Sequence, residues 1–256
     1  MQNLTVTLVQ AEQVWEDKTA NLKHYETLLN RLPDTELILL PEMFHTSFTM
    51  NAATHAEKLS EGEGINWLKK IAQEKQSCMY TSLIIEENNE YYNMGVFVRW
   101  DGTIETYAKR KTFGLAGEDE CFKAGEIEQI VELKGWKLQL QICYDLRFPE
   151  IVRNRIIGDT PAYDVILYVA NWPEKRSMHW KSLLQARAIE NQCYVLGVNR
   201  IGKDGNGLVY SGDSGIYDPL GEIDSLTSYV EQVKTTQLDV NLLKTTRNTL
   251  PFLKDQ

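Results

Sequence analysis

The sequence predicts an α/β fold in which two sheets are packed together with helices outside them. Three observations carry that expectation. Continuous apolar runs at 37–40, 164–169 and 193–199 read as strands buried on both faces. Amphipathic segments at 17–32 and 177–191 alternate with them at helical spacing. Each half of the chain then closes in turn-linked strands, which adds hairpins to the strand–helix alternation.

The first strand is 5–10, and the first helix, 17–32, sets Leu22, Tyr25, Leu28, Leu29 and Leu32 on one face. The run 37–40 ends at Pro41-Glu42. A carboxylate just beyond a buried strand is costly unless it is paired or used, although a solvated loop glutamate is the commoner meaning. After a polar loop holding Gly62 and Gly64, Trp67, Leu68 and Ile71 mark a short amphipathic helix. Strands 79–86 and 91–99 flank the polar connection 86–90, and Asp101-Gly102 turns the chain into 103–107. The segment 112–125 lacks periodicity and reads as a loop. Strands 130–133 and 136–142 pair around Lys134-Gly135. The helix 177–191 points Trp180, Leu183, Leu184, Ala188 and Ile189 inward. Strands 208–210, 215–217 and 231–239 complete the set. No linker, low-complexity tract or short repeat interrupts residues 1–256, so a single domain is expected.

Composition removes several function classes. A net charge of −9 without a basic stripe argues against nucleic acid. No apolar run is long enough to span a bilayer, so no membrane role is expected. The N-terminus has neither a basic leader nor a small-residue cleavage site; it reads as a strand, and the protein as cytoplasmic. Cys78, Cys121, Cys143 and Cys193 show no C-x-x-C pair and no zinc-type histidine spacing, so neither a metal site nor a disulfide is expected.

The stretch 138–150 is the one around which the rest is organised. Leu138, Leu140 and Ile142 alternate with Gln139 and Gln141, and Cys143 arrives at the strand's end. Phe148-Pro149 then leads into a predicted helix over 150–157. Backbone N–H groups at such an elbow favour a thiolate and an oxyanion. A lone cysteine is more often a small core residue, so the decision rests on its company. Glu42 and Lys109 also sit at ends of inferred strands, although Lys109-Arg-Lys111 taken alone reads as a solvated basic face. A carboxylate can serve as base to a cysteine, and an ammonium with a backbone N–H can stabilise a tetrahedral oxyanion. Glu118 is a further acid close by.

These residues carry a family resemblance. Pro41-Glu42, Tyr107-Ala-Lys109, Glu118 with Phe122-Lys-Ala-Gly125, and Cys143-Tyr-Asp-Leu-Arg-Phe-Pro149 resemble the nitrilase, or carbon–nitrogen hydrolase, superfamily. So do Ala170-Asn-Trp-Pro173, Gln185-Ala-Arg-Ala-Ile-Glu-Asn191, Asn199-Arg-Ile-Gly202 and Tyr210-Ser-Gly-Asp-Ser214. The resemblance implies a four-layer αββα sandwich and a Glu42–Lys109–Cys143 triad. Glu118 would support it, and the Tyr144 N–H would complete the oxyanion hole. It implies no metal or organic cofactor and a homodimer or larger homo-oligomer, with the helix from Ser177 and the elbow helix on the shared face. Cys-Tyr-Asp-Leu-Arg-Phe looks most like the omega-amidase branch, whose members hydrolyse the terminal amides of 2-oxoglutaramate and 2-oxosuccinamate. Lys111 and Asp213 depart from the pattern, since many relatives have histidine at both places. The substrate-facing candidates are Lys111, Arg147, Asn171, Trp172 and His179, with Arg110 as another candidate cation.

Other readings stay in view. A papain-like pair would need His24, His45, His55 or His179 as base, and none has a local signature tying it to Cys143. Deaminated glutathione or an N-carbamoyl amine would pass through the same acyl-enzyme. A non-catalytic binding or scaffold protein could keep the fold.

Overall fold

The computed structural model describes residues 1–255. Its first sheet begins with β1 (Leu4–Gln10), β2 (Leu37–Leu39), β3 (Cys78–Glu87), β4 (Glu90–Val98) and β5 (Ile104–Ala108). The second begins with β6 (Ile130–Leu133) and β7 (Trp136–Ile142). A ribbon of β8 (Ile156–Ile157) and β9 (Thr160–Pro161) precedes β10 (Val165–Ala170) and β11 (Tyr194–Asn199). Another ribbon, β12 (Ile201–Lys203) and β13 (Val209–Ser211), is followed by β14 (Gly215–Tyr217), β15 (Ile223–Ser225) and β16 (Gln232–Leu238). The helices are α1 (Lys18–Leu29), α2 (Ala52–His55), α3 (Glu63–Lys75), α4 (Glu118–Cys121), α5 (Ser177–Asn191) and α6 (Val240–Thr249).

The sheet orders are β16-β1-β2-β3-β4-β5 and β15-β14-β11-β10-β7-β6. In each sheet three central strands run parallel, β1-β2-β3 and β7-β10-β11, and antiparallel strands flank them. The carboxyl ends of these parallel strands are where α/β sheets place their ligand sites.

Period-two alternation assigns the layers. Leu4, Val6, Leu8, Leu37, Leu39 and Tyr80 face the second sheet and form one core with Leu138, Leu140, Ile166 and Leu196. Val9, Ile38, Leu40 and Met79 face outward and are covered by Leu22 and Tyr25 of α1 and by Ile65, Leu68 and Ile71 of α3. Trp180, Leu184 and Ala188 of α5 join the second sheet's core, and α6 adds Val240 and Leu243. The molecule is therefore a four-layer αββα sandwich. Each fully buried aliphatic side chain adds roughly 1.5–3 kcal/mol of transfer free energy. Gly197 lets α5 lie close to β11, because a Cβ there would come within 2.5 Å of Leu184 Cδ1.

Several expectations need correction. No helix forms over 150–157. The chain instead makes 3₁₀ turns at Cys143–Arg147 and Pro149–Ile151 and reaches β8. Pro149 holds Phe148 out of the helical region, and Asn154 is drawn aside. Its N–H donates to Asn191 Oδ1 at 2.8 Å, and its side chain donates to Tyr163 O and Asn191 O. Ile189 is 50% exposed, because the inward stripe of α5 runs through Trp180, Leu184, Arg187, Ala188 and Asn191 and leaves it to one side. The loop 112–125 contains α4. Strands β12 and β15, of three residues each, are too short for a period to show. The helix α6, capped by Asp239 accepting from Asn241 N, carries too narrow an apolar stripe to stand out. Among the described residues no helix is long and apolar enough to cross a membrane.

Candidate active site

Strand ends deliver the reactive groups to one place. Glu42 follows β2, Lys109 follows β5, Cys143 follows β7 and Asn171 follows β10. Glu42 and Glu118 are fully buried, Lys109 is 1% exposed and Cys143 is 8% exposed. The Lys109 ammonium donates to Glu42 Oε1 at 2.9 Å and to both Glu118 oxygens at 2.8 Å. Asn93 Nδ2 donates to Glu42 Oε1 at 2.8 Å and to Glu118 Oε1 at 2.9 Å. The remaining Glu42 oxygen accepts from Asn171 N at 2.8 Å, and Phe113 N donates to Glu118 Oε2 at 2.6 Å. Every oxygen of both carboxylates thus has a donor, which is what makes a buried cluster of three charges tolerable.

Cys143 has φ +43°, in the left-handed region that a non-glycine residue occupies only under constraint. Such a conformation costs of order 1–3 kcal/mol. Asp145 supplies much of the constraint. Its carboxylate accepts from Ile142 N at 3.0 Å, from Tyr107 Oη at 2.9 Å and from Lys111 N at 2.9 Å, tying the elbow to β7 and β5. Tyr144 is the second residue of the 3₁₀ turn, so its N–H has no acceptor inside that turn.

The thiol is not the resting thiolate that the elbow alone suggests. Burial pushes the Cys143 thiol well above its usual range and the Glu42 charge adds to this, against a smaller opposing pull from Lys109. Burial works against the Lys109 charge too, but Glu118 and then Glu42 outweigh it and hold the ammonium above the ordinary lysine range. With two carboxylates and one ammonium the cluster carries −1, and a free thiolate would make it −2. Moving the thiol proton onto Glu42 keeps −1; the sulfur's own hydrogen bond runs to Asn171 O at 3.9 Å, on the residue whose N–H donates to Glu42. The arrangement can therefore create a nucleophile without net charging of a dry site.

Known proteins share this chain's pattern along its length. Residues 5–248 match the family described as carbon–nitrogen hydrolase. The chain belongs to that family. It is 44% identical to the omega-amidase YafV of Yersinia enterocolitica, over 94% of this chain and 91% of that protein. The 2-oxoglutaramate amidase of Bacillus subtilis is 30% identical over 98% of this chain and 96% of its own length. A solved structure of a Xanthomonas campestris CN-hydrolase superfamily protein with an arsenic adduct in its active site superposes with a TM-score of 0.97. It is 36% identical and covers 100% of this chain and 98% of that one.

For a carbon–nitrogen hydrolase the walls above the thiol matter next. A cleft opens over Cys143 and Lys109, with Tyr144, Arg147, Asn171 and Trp172 in its lining. Arg147 stacks its guanidinium 4.6 Å above the Trp172 ring. Two substrate-facing candidates are not brought there. Lys111 points its ammonium over Phe148, 4.8 Å from the ring centroid, and exposed His179 lies beside Arg147, 3.3 Å from its Nη2. Neither lines the cleft. Arg110 is spent on Ile151 O at 3.2 Å. The papain-like reading has no base: His24, His45 and His55 pair with Glu231, Glu57 and Glu16 respectively.

Sequence reasoning missed Asn93 and Arg176. Asn93 left a signal, a polar residue inside the apolar strand β4, where asparagine is disfavoured. Arg176 also lines the cleft, yet in sequence it stands as one more cation beside Lys175 at a helix start.

Proposed function

We propose that the chain is an omega-amidase. It hydrolyses the terminal amide of a 2-oxo dicarboxylic acid monoamide, such as 2-oxoglutaramate or 2-oxosuccinamate, to the dicarboxylate and ammonia through a Cys143 acyl-enzyme. The observation that carries this is a fully paired Glu42–Lys109–Glu118 cluster against Cys143, at the base of a cleft that also holds an unpaired guanidinium at Arg147. The curated relatives described as omega-amidase and 2-oxoglutaramate amidase support it.

In this reading Glu42 accepts the thiol proton as Sγ attacks the amide carbon. Negative charge moves to the carbonyl oxygen, where Lys109 and the Tyr144 N–H receive it. Glu42 returns its proton to the departing nitrogen, and ammonia leaves the thioester. A water molecule, deprotonated by Glu42, attacks the thioester and restores the thiol. Glu118 and Asn93 hold Lys109 and Glu42 in register throughout. Arg147 takes the far carboxylate, which in a partly closed cleft needs a cation. After hydrolysis the new carboxylate lies against Glu42 and Glu118, so like charge assists product release.

The test is kcat/KM across 2-oxoglutaramate, 2-oxosuccinamate, pentanamide and an N-carbamoyl amine. The two charged amides should lead by at least about 100-fold, because a neutral ligand leaves the cation unpaired. Equal rates, or a preference for the carbamoyl compound, would remove the omega-amidase reading and leave the triad standing. The reading includes a cytoplasmic, reducing setting, supported by four free cysteines. It also includes self-association through α5, whose Met178 and Ile189 are 69% and 50% exposed beside Leu220 at 50%. Light scattering should give at least twice 29.5 kDa, and a monomer would count against that pairing.

A further inference from the structure

Arg147 is not the only guanidinium in the cleft without a carboxylate. Arg176 also lines it, and among the described residues neither arginine has a carboxylate within 4.0 Å. Each rests on an aromatic face, Arg147 on Trp172 at 4.6 Å and Arg176 on Phe113 at 5.5 Å. A guanidinium stacked in this way turns its edge donors toward a planar acceptor; on Arg147 one of them, at Nη2, already meets exposed His179 Nδ1 at 3.3 Å, and the others stay free. The two charges also act on one another: burial, and then the Arg176 charge, lower the readiness of Arg147 to hold its proton. The cleft therefore contains two cations that repel.

The backbone carrying Arg176 is pinned on both sides. Its carbonyl accepts from Trp172 Nε1 at 2.9 Å. The next residue, Ser177, donates its hydroxyl to Asp213 at 2.7 Å. Asp213 has φ +57° and also accepts from Ser211 and from Ser228, the latter at 2.6 Å. The carboxylate that does line the cleft, Asp204, is already engaged. One oxygen accepts from Tyr210 Oη at 2.8 Å, and the other accepts from Asn206 N and Leu208 N at 2.9 Å. The cleft thus offers two pre-placed cations and no available anion at its outer end.

We propose that Arg176 is a second specificity-determining cation, held in place through Ser177 and Asp213, that with Arg147 reads the adjoining carboxylate and 2-oxo oxygens of the substrate. The proposal rests on the omega-amidase reading and deepens it. A 2-oxo acid presents a planar run of acceptors that two guanidiniums can share. The corresponding 2-amino acid, glutamine, presents an ammonium at the same carbon. That ammonium would face two cations and find only Asp204, whose oxygens are already taken by Tyr210, Asn206 and Leu208, so the pair rejects it by repulsion as well as by lost contacts.

The experiment compares kcat and KM for 2-oxoglutaramate and L-glutamine in wild type, R176A, R176K and S177A. Arg176→Ala should raise KM for 2-oxoglutaramate at least tenfold while changing kcat much less, and should shrink the preference over glutamine by at least tenfold. Arg176→Lys, which keeps the charge but loses the fork, should fall between. Ser177→Ala should raise the same KM a few-fold, and that penalty should vanish in an R176A background, which a merely structural serine would not do. An R176A enzyme with undiminished preference over glutamine, or with kcat and KM damaged equally for both compounds, would overturn the proposal. If the wild-type enzyme preferred 2-oxoglutaramate over pentanamide and R176A kept its selectivity, only this proposal would fail. If the wild type showed no preference for the charged amide, the omega-amidase reading would fail and take this one with it.

Discussion

The floor and the rim of one cleft treat charge in opposite ways. On the floor, Lys109 is 1% exposed and held by two glutamates, with every carboxylate oxygen occupied. On the rim, Arg147 is partly exposed and packs on Trp172 with no acid against it. A buried cation without its partners would be prohibitively costly, so the floor must satisfy itself before any substrate arrives. A half-solvated cation can wait for its partner. In the proposed reaction the saturated charges move protons and stabilise an oxyanion, and the unsaturated ones select.

The floor should break most completely at its nucleophile. Cys143→Ala is expected to abolish turnover while the purified variant still binds 2-oxoglutaramate, read by calorimetry. Cys78→Ala and Cys193→Ala, both fully buried in the core, should cost only stability. Glu42→Gln keeps shape and removes proton acceptance, and should lower kcat by at least the roughly 10²-fold typical of general-base loss. Iodoacetamide modification of Cys143 that left activity intact would sink the assignment.

Much of this floor was legible in the sequence because strand ends are. Glu42, Lys109 and Cys143 each stand at the end of an inferred strand, and the motifs around them are local. The protonation state of Cys143 was not legible. Its elbow position argued for a thiolate, but burial and the facing Glu42 charge come from elements far apart in sequence, and they win. The stretch after the elbow misled for a similar reason. Its composition permits a helix, but the hydrogen bonds of Asn154 to Asn191 and Tyr163 pull it away. Arg176 was invisible because nothing local separates a cation that enters a cleft from one in water. Lys111 shows the converse, a cation beside a catalytic motif that turns onto Phe148.

Lys109→Met tests whether pairing on the floor is a matter of fold as well as chemistry. Losing one oxyanion donor should lower kcat by about 10²–10³. Two carboxylates would also be left facing each other in the dry core, which costs about 3–5 kcal/mol when a buried pair loses a partner. Urea midpoints should fall accordingly, and a variant of undiminished stability would show that water reaches the cluster. Arg147→Ala makes the same cut at the rim and should be milder. Its kcat/KM for 2-oxoglutaramate should fall about 10- to 100-fold with stability nearly unchanged, since an exposed or half-exposed cation contributes little to folding. A loss of stability matching that of Lys109→Met would erase the distinction between the two regions.

Asp145 gives the smallest and most specific test, because it is a buried carboxylate that forms no ion pair. Burial, opposed by the more distant Lys109 charge and by donors from Ile142, Tyr107 and Lys111, pushes its carboxyl up to about 6 from an ordinary 3.8. The folded chain therefore holds this proton more tightly than the unfolded chain does. Stability from this group is fully present below about pH 4, declines as pH rises toward 6, and stays at its lower level above that. A tenfold difference in proton affinity is worth about 1.4 kcal/mol, so the full span is of order 2–3 kcal/mol. Asp145→Asn cannot titrate, although its amide offers only one acceptor to the three donors around it, so it should be destabilised at every pH. Urea midpoints measured from pH 4 to 8 should show the wild-type advantage largest at the acid end, shrinking to a plateau near pH 6. An advantage that grows with pH across that window would mean that the donors around Asp145 outweigh its burial, and that this carboxylate is as well satisfied as Glu42 and Glu118.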